Sequence, residues 1–236
     1  MEPYSGLINV NKTELLIFSN RPPVFSGHNI QLDGENLNIS NSCIFLGVEL
    51  DNKLNFKDHI NTIVDKISKH SGILYRIRDK LPLKARLDYY FGFVYPYLSY
   101  NVVVWGSTYQ VHLAPLIVQH KRLISPLTNC AARDHTTILF LKLGLLKFCD
   151  VYKYHLLLRM FKEVKNGNFK VEHGRGTRNC NLAAPTFHRL TLSQHAFSFT
   201  GPSHWNALPL YLRNIPKFQP FKRALKSFLL DQYIPV

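Results

Sequence analysis

Glu49 and Asp51 are the first residues to ask about chemistry, because they stand two apart in Val48-Glu49-Leu50-Asp51, a run that reads as extended chain. Residues i and i+2 of a strand share a face. A carboxylate pair on one face is what metal-dependent phosphoryl transfer requires, since side-chain cations alone stabilise its charge-accumulating transition state poorly. The other acids offer no second pair: Asp33 sits with Gly34 in a turn signal, and Asp65, Asp79 and Asp88 fall on predicted helices among basic residues. No Ser/His/Asp arrangement, Gly-rich phosphate loop or Cys-His pairing has supporting spacing. The four cysteines, Cys43, Cys130, Cys149 and Cys180, lie far apart with no Cys-x-x-Cys pair. The eleven histidines are scattered singly. Neither set has zinc-finger spacing, so no metal site is expected, and in a reducing compartment the thiols stay free.

Charge is more informative than any of these. The 236 residues carry a formal net charge of +14. Residues 1–52 hold Lys12 and Arg21 against Glu2, Glu14, Asp33, Glu35, Glu49 and Asp51, a net −4, so the remainder carries +18. Such an excess repels itself unless an anion neutralises it, and a nucleic-acid backbone is the commonest intracellular polyanion. An acidic membrane surface is the lesser alternative. The most apolar stretch, Tyr89 to Gly106, is crossed by Pro96, Ser99 and Asn101, which favours a buried helix over a membrane span. With 46% hydrophobic residues the chain has the composition of a folded protein. No secretory signal precedes it, so a soluble protein of nucleus or cytoplasm is expected, without a membrane partner.

Two periods organise the elements. From Glu14 to Asp51 the pattern is short and extended: an apolar run at Leu15 to Ser19, an Asp33-Gly34 turn between Ile30-Gln31-Leu32 and Leu37-Asn38-Ile39, and a strand from Cys43 to Leu50. This predicts three or four antiparallel strands. Asn55 then caps a helix from about Phe56 to Lys80 whose apolar face is Ile60, Ile63, Val64, Ile67, Leu74, Ile77 and Leu81. Opposite it fall Thr62, Asp65, Lys66, Lys69, Arg76 and Lys80, a face suited either to solvent or to a phosphate backbone. Further helices are expected over Leu83 to Trp105, bent near Pro96, over His112 to Cys130 with Lys121 and Arg122 together, and over Asp150 to Lys165. His173 to Asn179 reads as a Gly- and Arg-rich loop, and Pro220 opens a last amphipathic helix. The aromatics from Tyr95 to Tyr100 and Trp105 are expected in the core. The fold class is α+β and mostly α: a small antiparallel sheet, a helical bundle, then a mixed C-terminal region.

Four separated elements occur in one order: Asn9-x-x-Lys12-Thr13 before Leu15-Leu16-Ile17-Phe18; Phe45-Leu46-Gly47-Val48 with Leu50-Asp51; Tyr95-Pro96-Tyr97-Leu98-Ser99-Tyr100 before Val104-Trp105-Gly106; and Thr177-Arg178-Asn179 followed by Phe199-Thr200-Gly201-Pro202-Ser203-His204-Trp205-Asn206-Ala207-Leu208-Pro209. Together they resemble the C-terminal part of the reverse transcriptases of jockey-like non-LTR retrotransposons, over nearly the whole chain.

The resemblance implies three regions: 1–52, the end of the palm with a primer-grip hairpin; 53–133, the helical thumb; and 134–236, a C-terminal region. It implies that Lys12 approaches the incoming nucleotide's phosphates as an accessory catalytic cation, a role suited to an ammonium that can also give up a proton. It makes Phe45, Leu46, Gly47 and Val48 the primer grip, with Gly47 permitting close backbone approach, and places Asp51 at the grip-to-thumb junction as a cap or turn. Thumb contacts to phosphates are expected from Lys66, Lys69, Arg76, Lys80, Lys84, Arg86, Lys121 and Arg122, with Arg175 and Arg178 touching RNA. The partners implied are an RNA template and DNA primer as an RNA/DNA duplex, and the upstream polymerase region, whose aspartates bind Mg2+. Those aspartates precede the Asn-x-x-Lys-Thr element in the family. The expected reading is therefore a polymerase fragment that binds template and primer, is inactive alone and needs no cofactor of its own. The alternative is a non-catalytic basic nucleic-acid-binding module derived from such an element.

Overall fold

Among the described residues of 14–51, short apolar runs broken by turn residues make six strands paired two by two: β1 (Glu14–Leu16), β2 (Gln31–Leu32), β3 (Glu35–Asn36), β4 (Asn38–Ser40), β5 (Ser42–Phe45) and β6 (Val48–Asp51). The computed structural model describes residues 13–19, 30–32, 34–128, 136–169, 171–172, 182–183 and 191–234. Contacts divide the chain into Met1–His59 and Ile60–Val236.

In the first unit β2–β3 and β5–β6 are antiparallel, whereas β1 and β4 pair in parallel, with Leu15 opposite Ile39. The expected purely antiparallel arrangement is corrected there. The stretch from Cys43 to Leu50, a strand by its pattern and a hairpin by the resemblance, is the hairpin β5–β6, turning at Leu46 and Gly47.

The second unit is helical, and its first helix, α1 (Lys57–Ile77), starts within the first unit. Then come α2 (Leu83–Tyr89), a π-helical turn (Tyr90–Val94), α3 (Tyr95–Ser99) and α4 (Val102–Trp105). The expected helix from Leu83 to Trp105 is thus broken after Ser99, where Asn101 takes φ of 47°. Helices α5 (Gln110–Thr128), α6 (Thr136–Leu143) and α7 (Phe148–Lys165) follow. Beyond them are a small pair β7 (Val171–Glu172) and β8 (Leu182–Ala183), then α8 (Thr191–Gln194), α9 (Phe197–Asn206), α10 (Leu210–Arg213) and α11 (Phe218–Asp231).

Helix α7 organises this core, packing on α3, α4, α5, α9 and α11. Trp105 is fully buried and stacks on Phe148 at 5.5 Å, and its indole N–H donates to the Tyr100 carbonyl at 3.0 Å. At the other end of α7 Phe161 stacks on Phe221 at 4.6 Å, and Trp205 closes the group 5.7 Å from Phe221. Trp205 and Leu208 are both buried. Gly106 has no room for a side chain. A Cβ there would lie 2.5 Å from the Val102 carbonyl and 2.7 Å from the Tyr152 ring, so this close approach requires glycine.

Candidate nucleic-acid interface

The segment leading into helix α1 is held by an aspartate. The Asp51 carboxylate accepts the backbone N–H groups of Lys53 at 2.9 Å, Asn55 at 3.1 Å and Phe56 at 2.7 Å. That is the turn expected of Asp51 at the junction. Both oxygens of Asp51 thus accept backbone N–H groups. Beside it the Glu49 N–H donates to the His59 ring at 3.4 Å.

Along α1, Ile60, Ile63, Ile67 and Leu74 are buried. Lys66, Lys69 and Arg76 are exposed, as are Lys80 in the following turn and Lys84 on α2. At about 100° per residue Lys69 and Arg76 fall within roughly 20° of each other, opposite the buried stripe, with Asp65 beside them. Lys66 stands at the flank, its ammonium 5.3 Å from the centre of the Tyr97 ring. Lys121 and Arg122 are exposed on α5.

Arg86 is not available to a phosphate, which corrects the expectation for that residue. It is 6% exposed, and its guanidinium donates to the Pro126 carbonyl at 3.0 Å. Carbonyls in the last turn of a helix have no partner within it, and a cation is favoured at that negative end. Arg86 serves the C-terminal turn of α5. Lys12, Arg175 and Arg178 lie outside the described residues.

At the hairpin tip Leu46 and Gly47 have φ of 47° and 75°, the two positive values of a type I′ turn. Gly47 supplies the second positive φ that this turn needs. Phe45 and Leu46 are exposed while Val48 is buried, so the four residues expected to act together split between the tip and the interior.

The sequence reading missed His70, Tyr89 and Phe93. The His70 ring lies 5.8 Å from Tyr89, 6.1 Å from Phe93 and 5.7 Å from Tyr97, centre to centre, and His70 Nδ1 is 2.8 Å from the Tyr89 hydroxyl. Partial burial lowers the His70 pKa and raises that of Tyr89, so both favour their neutral forms. Phe93 is 56% exposed, and Tyr100, expected in the core, is 54% exposed, whereas Trp105 is buried as expected. The available signal was the four-residue spacing of Tyr89, Phe93 and Tyr97.

The chain is similar to the RNA-directed DNA polymerase from mobile element jockey of Drosophila melanogaster, with 30% identity over 127 residues. The match takes in 52% of this chain and 14% of that polymerase, so the chain corresponds to a small part of the relative's length. No family model and no solved structure matches. The similarity is to a jockey-type mobile-element polymerase, and the mostly helical α+β fold is the one the sequence implied. Among the described residues no helix is long and apolar enough to cross a membrane.

Proposed function

We propose that this chain is the template-primer-holding portion of a retrotransposon RNA-directed DNA polymerase, that it binds nucleic acid, and that it does no nucleotidyl transfer by itself. The observation that carries the reading is the exposed basic side of α1, Lys66, Lys69 and Arg76, set opposite a buried apolar stripe in a chain related to such a polymerase. Point cations spaced along a helix suit a phosphate backbone, which is read by charge and shape. Lys80, Lys84, Lys121 and Arg122 extend the set, and the exposed Phe45-Leu46 tip is the part that would meet a primer end in the grip role. Catalysis belongs to carboxylate-bound Mg2+ in the wider polymerase. In this chain Asp51 holds the start of α1 instead.

The test pairs fluorescence anisotropy on a labelled RNA/DNA hybrid, titrated across salt, with primer extension in Mg2+. Affinity that falls steeply with salt, without extension, supports the reading, because each neutralised phosphate releases counterions. Extension above background refutes the inactive assignment. Absence of binding at low salt refutes the holding role.

A further inference from the structure

The π-turn between α2 and α3 sorts an aromatic-rich helix into two rows. Its wide turn is closed by the Tyr95 N–H donating to the Tyr90 carbonyl, an i to i+5 bond. Side chains four apart on an α-helix drift by about 40° per step, and an interposed π-turn takes up that drift. Tyr90, Val94 and Leu98 consequently stay buried at 1%, 0% and 0% exposure. The row one residue earlier, Tyr89, Phe93 and Tyr97, stays together on the open side, with Tyr89 and Phe93 only 4.8 Å apart, centre to centre. His70 of α1 touches all three rings.

This surface lies beside cations. On the α1 wheel Lys66, His70 and Ile73 form a row between the buried stripe and the side bearing Lys69 and Arg76. Lys66 crosses to the Tyr97 ring, and Ile73 is 41% exposed. Phe93 has no polar atom, so it can recognise a planar ring only by its face. A duplex hides its base faces inside its own stack, whereas an unpaired strand offers them together with phosphates for the neighbouring lysines.

We propose that His70, Tyr89, Phe93 and Tyr97 form a stacking platform for unpaired nucleobases, with Lys66 and Lys69 holding the backbone of the same single strand. The proposal rests on the nucleic-acid-holding function above and adds to it: the chain grips a single-stranded stretch by its bases as well as a duplex by its charge. Stacking on aromatic side chains is tolerant of sequence, so no base preference is implied.

The experiment compares a labelled 15-nucleotide oligouridylate with an abasic oligonucleotide of equal length and charge, by anisotropy across salt, on the full chain and on Phe93→Leu and Tyr97→Leu. Both variants keep an apolar side chain at a partly open position, and a circular-dichroism melt checks their fold. The platform predicts that the base-bearing strand binds at least about 5-fold tighter than the abasic one. Each variant then loses about 5- to 100-fold for the base-bearing strand alone, with the salt slope unchanged. Equal binding of the two strands, or equal loss for both in the variants, overturns the platform. If the RNA/DNA hybrid still binds with a steep salt slope, the holding function survives that result. If neither oligonucleotide nor hybrid binds, both readings fall. Should the variants change only self-association or vesicle binding, the surface serves another partner and the proposal is wrong.

Discussion

His120 makes the stability of the helical unit depend on pH. It is 1% exposed on α5, its Nε2 lies 3.0 Å from the Tyr90 hydroxyl, and its ring packs edge-on against Phe140 at 5.1 Å. Burial pushes its pKa down to about 3 and raises that of Tyr90, so both rings are neutral at pH 7. In the unfolded chain His120 titrates near 6.5. Between these values the unfolded chain binds the extra proton, so stability rises with pH across the window and this contribution is complete above it. Falling from pH 6.5 to 5 should cost about 1.6 kcal/mol from this residue, the slope approaching roughly 1.4 kcal/mol per unit below pH 6. Burial also lowers the His70 and His155 values, and both add in the same direction. The assay is urea unfolding followed by circular dichroism at several pH values, on the natural chain and on His120→Gln. The variant starts less stable, having lost its ring packing, but its stability should fall by about 1.6 kcal/mol less over the same interval. An unchanged pH dependence in the variant, or a His120 NMR titration near its ordinary value, would refute the argument.

Further outcomes follow from single contacts. Asp51→Ala removes three bonds to backbone N–H groups and should cost about 2–4 kcal/mol locally, visible as faster hydrogen exchange at the start of α1. Arg86→Met should destabilise the helical unit by about 1–3 kcal/mol in urea while leaving hybrid affinity and salt slope unchanged, since this cation serves Pro126 and not a phosphate. Gly106→Ala should cost about 1–3 kcal/mol or more by overpacking against Val102 and Tyr152, seen as a lower melting temperature.

What the sequence revealed depended on how local the cause was. The long helices follow from apolar spacing within one element, so α1, α5, α7 and α11 lie within a few residues of their expected ranges. The hidden features rest on distant partners. Arg86 looks like a surface cation until Pro126, forty positions later, supplies its acceptor. Parallel pairing of β1 with β4 sets Leu15 against Ile39, twenty-four positions later. The aromatic run misled for another reason: Tyr89, Phe93 and Tyr97 differ by a single position from the buried row, and only the π-turn decides which row faces outward. At the candidate interface, the exposed positions of α1 were legible from periodicity, whereas the part played by His70 became visible only when α1 was set beside α2 and α3.

Lys69→Glu, Arg76→Glu and Lys80→Glu, combined in one chain, provide the most direct measurement, read as the salt dependence of RNA/DNA hybrid affinity. If these side chains hold phosphates, the logarithmic slope of affinity against salt should become shallower by about three, one unit per lost contact, and affinity at low salt should drop sharply. A slope and affinity equal to those of the natural chain would contradict the account.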